Sequence, residues 1–169
     1  MQETAVQNGV EGEAMRPPTD EWTAAALAHA SILLTVILSA AGGIGVFIGP
    51  VIPLVMYFGY KDRSRFVAFH AMQAFVYQLA SVAAYIALVA ALAVWLTLTW
   101  VAVVLLSFAL LGLLLIPFAL LFTLLVVFIL ACIPFVWIGY GLYASYQVYQ
   151  GRNLHYWLIG DWLAKEVRA

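Results

Sequence analysis

Two long stretches of this chain carry no formal charge, residues 22–60 and residues 66–151. Between them lies a polar knot, Lys61-Asp62-Arg63-Ser64-Arg65. A charged knot between long apolar runs reads as a loop that stays in water with membrane on both flanks. The stretch Tyr60–Gln73 therefore organises the pattern, because it sets where one apolar run stops and the next begins.

One membrane span needs ~20 residues, so residues 22–60 hold two. Gly42-Gly43 is poor helix interior and a good tight turn, and marks the break. The first span is predicted from Trp22 to Ala41, with Thr19 or Asp20 placed to cap it and Asp20 and Glu21 at its positive dipole end. The second is predicted from Ile44 to Tyr60, short and kinked at Pro50 and Pro53. Gly45 and Gly49 form a small-xxx-small pair that lets another helix come close. Asp62 or Ser64 is placed to cap the helix that follows the loop.

Residues 66–151 are more than two spans need. Trp95 and Trp100 bracket Thr97 and Thr99, a pattern that suits the far membrane interface. A helix from Ser64 to Leu96 would be ~48 Å long at 1.5 Å per residue, so it must tilt, bend or start in the near interface. Residues 101–117 are then expected as a tilted or re-entrant apolar helix, or as a further span. The last long helix is predicted from Phe118 to Gln150, kinked at Pro134. Residues 156–167 suit a short interfacial helix, with Trp157, Leu158, Trp162 and Leu163 among polar residues.

Sidedness follows from charge. Three basic residues against one acid place the Lys61–Arg65 loop in the cytoplasm. Arg152, Lys165 and Arg168 against Asp161 and Glu166 give the C-terminal segment a weak bias to the same side, and so an even number of spans. The expectation is an all-α polytopic bundle of four spans, with five as the alternative. A disordered acidic tail occupies 1–19, the membrane domain 20–151 and a cytoplasmic segment 152–169. The polar, acidic start lacks the basic and apolar regions of a cleavable signal.

Composition agrees with that picture. The chain has 169 residues, 66% hydrophobic and only 9% charged, with mean hydropathy +1.04, against about 25% charged in soluble domains. Lipid must be its solvent. The net charge of −1 gives no electrostatic case for nucleic acid. The expected partners are the lipid bilayer and other membrane proteins or further copies of the chain.

Candidate chemistry is sparse. His70, Gln73, Tyr77 and Ser81 share one helix face, as do Tyr140, Tyr143, Gln147 and Gln150. Buried polar groups in lipid need partners, so the two stripes are candidates to hydrogen-bond to one another. The bland reading puts them in the headgroup layer. His29 lies at a depth similar to His70, but no carboxylate or thiol is at hand to complete a metal site, and catalytic zinc usually takes three protein ligands. The lone Cys132 reads as a packing residue. The spans hold no Asp, Glu, Lys or Arg of the kind proton-coupled transporters use. Ser31, Ser39, Ser81, Ser107 and Ser145 have no nucleophile motif around them. The expectation is a protein with no catalytic site, metal or cofactor.

Three blocks resemble a known family. These are Glu21-Trp22-x6-His29-Ala30-Ser31, Gly49-Pro50, and Lys61-Asp62-Arg63-Ser64-Arg65-Phe66-Val67-x2-His70-Ala71-x-Gln73-Ala74, joined by a closing Tyr149-Gln150-Gly151-Arg152-x4-Trp157-Leu158-Ile159. Together they look like the motifs of a bacterial family of small membrane proteins distantly similar to the channel-associated Tic subunit of the chloroplast inner-envelope translocon. The resemblance covers roughly Glu21 to Asp161. It implies four spans with both ends in the cytoplasm and no catalytic residues. This chain departs from that family in the longer apolar region before the terminal glycine. The resemblance adds protein translocation as an alternative to the expected role, a scaffold or accessory subunit of a membrane complex. Small-molecule or lipid transport comes third.

Overall fold

The computed structural model describes residues 18–40, 43, 45–154, 156 and 160. Five α-helices follow in order: α1 (Thr19–Ala30), α2 (Ile32–Ala40), α3 (Gly45–Tyr60), α4 (Arg65–Ser107) and α5 (Leu111–Tyr149). The described residues form helices and turns without a strand. They belong to two compact units, one made of residues up to Tyr77 and from Gly141 onward, the other of Gln78–Tyr140.

In the first unit α1 and α2 are nearly one rod. Only Ser31 interrupts them, and its N–H still donates to the Leu27 carbonyl while its own carbonyl accepts from Thr35. Its hydroxyl turns back on the Ala28 carbonyl at 2.7 Å, a local bond of the kind that bends helices. The rod Thr19–Ser39 has 21 residues, or ~32 Å at 1.5 Å per residue, enough to cross a ~30 Å hydrocarbon core. Pro18, rather than Thr19 or Asp20, holds the N-cap position, with no side-chain cap bond. Pro cannot donate an N–H, so it costs little there, and Thr19 moves into the first turn.

α2 turns back into α3 past Gly43, whose φ of +79° suits glycine. α3 contains Pro50 and Pro53, and its apolar part, Phe47–Tyr60, is shorter than the continuous helical stretch Thr19–Ser39. Gly45 and Gly49 are buried against α2. A Cβ on Gly45 would strike the Thr35 and Ser39 backbone, and one on Gly49 would overlap the Thr35 side chain. The glycine pair therefore packs α3 onto its own neighbour.

Ser64 starts α4. Its Oγ accepts the Val67 N–H at 3.2 Å and donates to Glu21 Oε2 at 2.7 Å, joining the starts of α4 and α1. Of the two expected caps, Ser64 does the capping and Asp62 stays exposed. Trp22 lies on Phe66 with ring centroids 4.4 Å apart. Behind them Ala25, Ala26 and Ala28 of α1 and Ala68, Ala71 and Ala74 of α4 are buried, and small side chains let backbones approach. The last turns of α5 join through Val148, packed with Trp22, Ala25 and Ala26, and through Ser145 Oγ, which donates to the Ala26 carbonyl at 2.9 Å. Gly151, at φ +76°, ends α5: its N–H bonds to the Val148 carbonyl and the Arg152 N–H to that of Gln147. That pair of bonds is a Schellman cap.

The second unit is a helical hairpin, Gln78–Ser107 against Leu111–Tyr140, turned by Phe108–Leu110. Each arm is ~45 Å long at 1.5 Å per residue, about the thickness of a bilayer with its headgroups. The expected break at Trp95–Trp100 is absent, and so is the separate helix expected near 101–117. Residues 101–107 continue α4, and residues 111–117 open α5. Three polar side chains of the Trp/Thr layer, Thr97, Thr99 and Trp100, are served inside the hairpin, while Trp95 is exposed. Thr97 and Thr99 donate to the carbonyls of Ala93 and Trp95, Trp100 Nε1 donates to Thr123 Oγ1 at 3.0 Å, and Thr123 donates to Ala119. Pro134 lies within α5 and has no N–H for the Leu130 carbonyl four residues back. Tyr85 Oη of α4 donates to that carbonyl at 3.2 Å.

Three helical stretches, Thr19–Ser39, Arg65–Ser107 and Leu111–Tyr149, are long and apolar enough to cross a membrane. Of the expected tail 1–19, residues 1–17 lie outside the described residues, while Pro18 and Thr19 stand at the start of α1; the interfacial helix of 156–167, apart from Tyr156 and Gly160, also lies outside them.

Two outcomes follow. Tyr85→Phe, which orphans the Leu130 carbonyl, is expected to destabilise the hairpin by about 0.5–1.5 kcal/mol. In a Pro134→Ala background, where the helix regains that hydrogen bond, the effect shrinks toward zero. Denaturation in SDS followed by tryptophan fluorescence reads both. Gly49→Leu, which drives a side chain into Thr35, costs about 1–3 kcal/mol by overpacking, whereas Gly59→Leu, with open space at its Cα, stays near wild type in the same assay.

Candidate functional site: a buried polar core

The first unit holds a line of polar groups among its alanines. His29 near the end of α1 and His70 in the second turn of α4 are 1% and 0% exposed, and Gln73, one turn on, is also fully buried. Past the α5 cap the chain returns over α1 and α4, bringing Asn153, Leu154 and Tyr156 onto them. His70 Nε2 meets Asn153 Oδ1 at 3.1 Å, His70 Nδ1 meets His29 Nε2 at 3.2 Å, and His29 Nδ1 meets Tyr156 Oη at 3.1 Å.

The proton positions follow from one end. An amide oxygen only accepts, so His70 Nε2 carries the hydrogen, and with both rings neutral His70 Nδ1 is a bare lone pair. His29 Nε2–H must then donate to it, which leaves His29 Nδ1 to accept from the Tyr156 hydroxyl. In that neutral pair all three bonds run in one direction. Two further contacts hold the same segment. In the amide orientation that satisfies both ends, Gln73 Nε2 donates to the Leu154 carbonyl at 3.3 Å and its Oε1 accepts the Tyr156 N–H at 2.7 Å. The Tyr77 ring stacks on Tyr156, with centroids 4.4 Å apart and 14° between planes.

His29, His70, Gln73 and Tyr77 thus come together. Tyr143 and Gln147 lie elsewhere on the unit. Gln147 Nε2 donates to Tyr143 Oη, and its Oε1 accepts from Arg152 at 3.1 Å. Both bonds stay on α5 and its cap, on the solvent or lipid side, where Tyr143 is half exposed. Ser81 belongs to the second unit. Lys61, Asp62, Arg63 and Arg65 are all exposed, with Lys61 Nζ 5.8 Å above the Phe58 ring.

The sequence reading missed Asn153 and Tyr156. Their only cue was Gly151, whose left-handed conformation turns the chain back; nothing in the polarity of 152–156 said where it would land.

Chemically the arrangement is a brace. Its donors are strung along a line through two rings and do not surround a common point, so an ion between the histidines would meet two ring nitrogens. Among the described residues no group of three or more His, Cys, Asp or Glu is placed to hold a metal. In the second unit a groove of about 540 Å³ runs beside Trp100, Val104 and Thr123. Its indole and threonine donors are already engaged within the hairpin.

Gln73→Ala removes the partner of two peptide groups at once. A destabilisation of roughly 2–3 kcal/mol is expected for the first unit, checked by thermal unfolding in detergent. A loss below about 0.5 kcal/mol would mean that water or another group replaces the amide.

No curated protein and no solved structure matches the chain, and nothing supports the likeness to the Tic subunit. A family description does match, over residues 20–163, which takes in all five helices, the buried histidines and the returning segment. The chain belongs to the magnetosome magnetite crystal formation protein family.

Proposed function

We propose that this protein is a non-enzymatic membrane component of magnetite formation, a scaffold or accessory subunit that acts through its membrane-facing surface. The observation that carries the reading is the use of its buried polar atoms. The interior donors and acceptors described above hold helices and the returning segment together, and no nucleophile–base pair or convergent ligand set is among them. The apolar outer faces of α4 and α5, rich in Leu, Val and Phe, are left for lipid and for neighbouring membrane proteins.

The basic loop Lys61–Arg65 supports a cytoplasmic position for that end of the first unit. By this reading both chain ends lie on the same side of the bacterial inner membrane or of a membrane derived from it. The translocation and transport alternatives ask for a wetted polar path. The fully buried His70 and Gln73 do not favour one.

Deleting the gene in its own cell is expected to change the size or number of magnetite crystals, and the wild-type chain restores them. Photo-crosslinking from Leu114 or Phe128, both exposed, is expected to capture a membrane protein or a second copy. Unaltered crystals, or crosslinks to lipid alone at both positions, would overturn the proposal.

A further inference from the structure

The segment Asn153–Tyr156 bridges the two buried histidines: Tyr156 takes one outer ring nitrogen, Asn153 the other. We propose that this segment is a proton-released strap, held on α1 and α4 while the histidine pair carries at most one extra proton and let go when both rings are protonated.

The argument is a count of hydrogens. In the neutral pair four ring nitrogens share two hydrogens, and each link has one donor and one acceptor. One extra proton is tolerated by reversing the chain. His70 Nδ1–H then donates to His29 Nε2, and His29 Nδ1–H donates to the Tyr156 oxygen, with His70 Nε2–H still on Asn153. A second proton has no such solution. Nε2–H and Nδ1–H would face each other across 3.2 Å, two cations with no acceptor between them. Such a pair needs water. Asn153 is exposed while His70 behind it is not, and Tyr156, 3% exposed, closes the His29 end. Solvating the pair therefore means lifting the strap.

The neighbouring groups are these. α4 supplies Gln73 and Tyr77, with Arg65 at its exposed start. α1 supplies Glu21, bonded to Ser64, and Asp20. α3 brings Tyr57, packed beside Ala28 and Ala71, with Tyr60 and Lys61 at its end. α2 brings no titratable side chain. α5 and its cap bring Tyr143, Tyr146, Tyr149 and Arg152. His155, in the strap's own sequence, lies outside the described residues, so the test is run in a His155→Gln background, where acid release reports His29 and His70.

The test uses the full chain in lipid nanodiscs, with Cys132→Ser, His155→Gln and a nitroxide on Leu154→Cys. The electron paramagnetic resonance line shape is expected to be immobilised at neutral pH. It should turn severalfold more mobile on acidification and recover on neutralisation. His29→Gln and His70→Gln keep an amide donor and acceptor but cannot hold a second cation, so their labels stay immobilised at both pH values. A label already mobile at neutral pH in both variants also supports the lock, because the imidazole pair is then what holds the strap. Three results overturn the proposal: a wild-type label immobile at both pH values, one mobile at neutral pH, or acid release in either variant matching wild type.

Discussion

In hydrocarbon there is no water to accept a stray N–H or to donate to a stray carbonyl, and that constraint shapes the interior of both units. The Glu21–Ser64 bond joins two helix starts, the histidine pair joins α1 to α4, and Ser145 joins α5 to the Ala26 carbonyl. In the hairpin, Trp100 finds Thr123, and Tyr85 finds the carbonyl that Pro134 leaves bare. Each of these side chains is answered by a group from another helix or from its own backbone. The alanine faces of α1 and α4 make this workable, because donors and acceptors on separate helices reach bonding distance only when the backbones lie close.

The same constraint explains what the sequence made legible. Two charge-free runs around Lys61–Arg65 gave the helical class, the turn at Gly43 and the start of α4, because charge and glycine act locally. The face shared by His70, Gln73 and Tyr77 was visible from helical spacing. Residues 101–117 were misread because Trp and Thr usually mark an interface. Whether they do depends on partners such as Thr123, twenty-three residues away from Trp100 in sequence, and spacing along one helix cannot reveal a contact with the next. Asn153 and Tyr156 were invisible for a related reason: the destination of a turned-back segment is set by the surface that receives it.

The family places this architecture in magnetite formation, and the residue chemistry bears on what kind of part it plays there. A reaction centre gathers groups around a point and leaves room for a substrate. Here the histidines, glutamine and tyrosines run in a line that ends on the protein's own backbone. A core built this way braces helices, and on the proposed reading the outer surface becomes the place to look for partners.

The returning segment also orders events during synthesis. Helices α1 and α4 emerge from the ribosome first, and each brings a buried histidine that has no outer partner until residues 153–156 have been made. A nascent chain therefore passes through the insertion machinery with its core open, and closes it only when α5 is threaded and capped at Gly151. A fragment lacking that closing piece would leave two imidazoles and a glutamine uncovered, a lesion that membrane proteases can sense. Completion of the polypeptide is thereby written into the stability of its earliest helix.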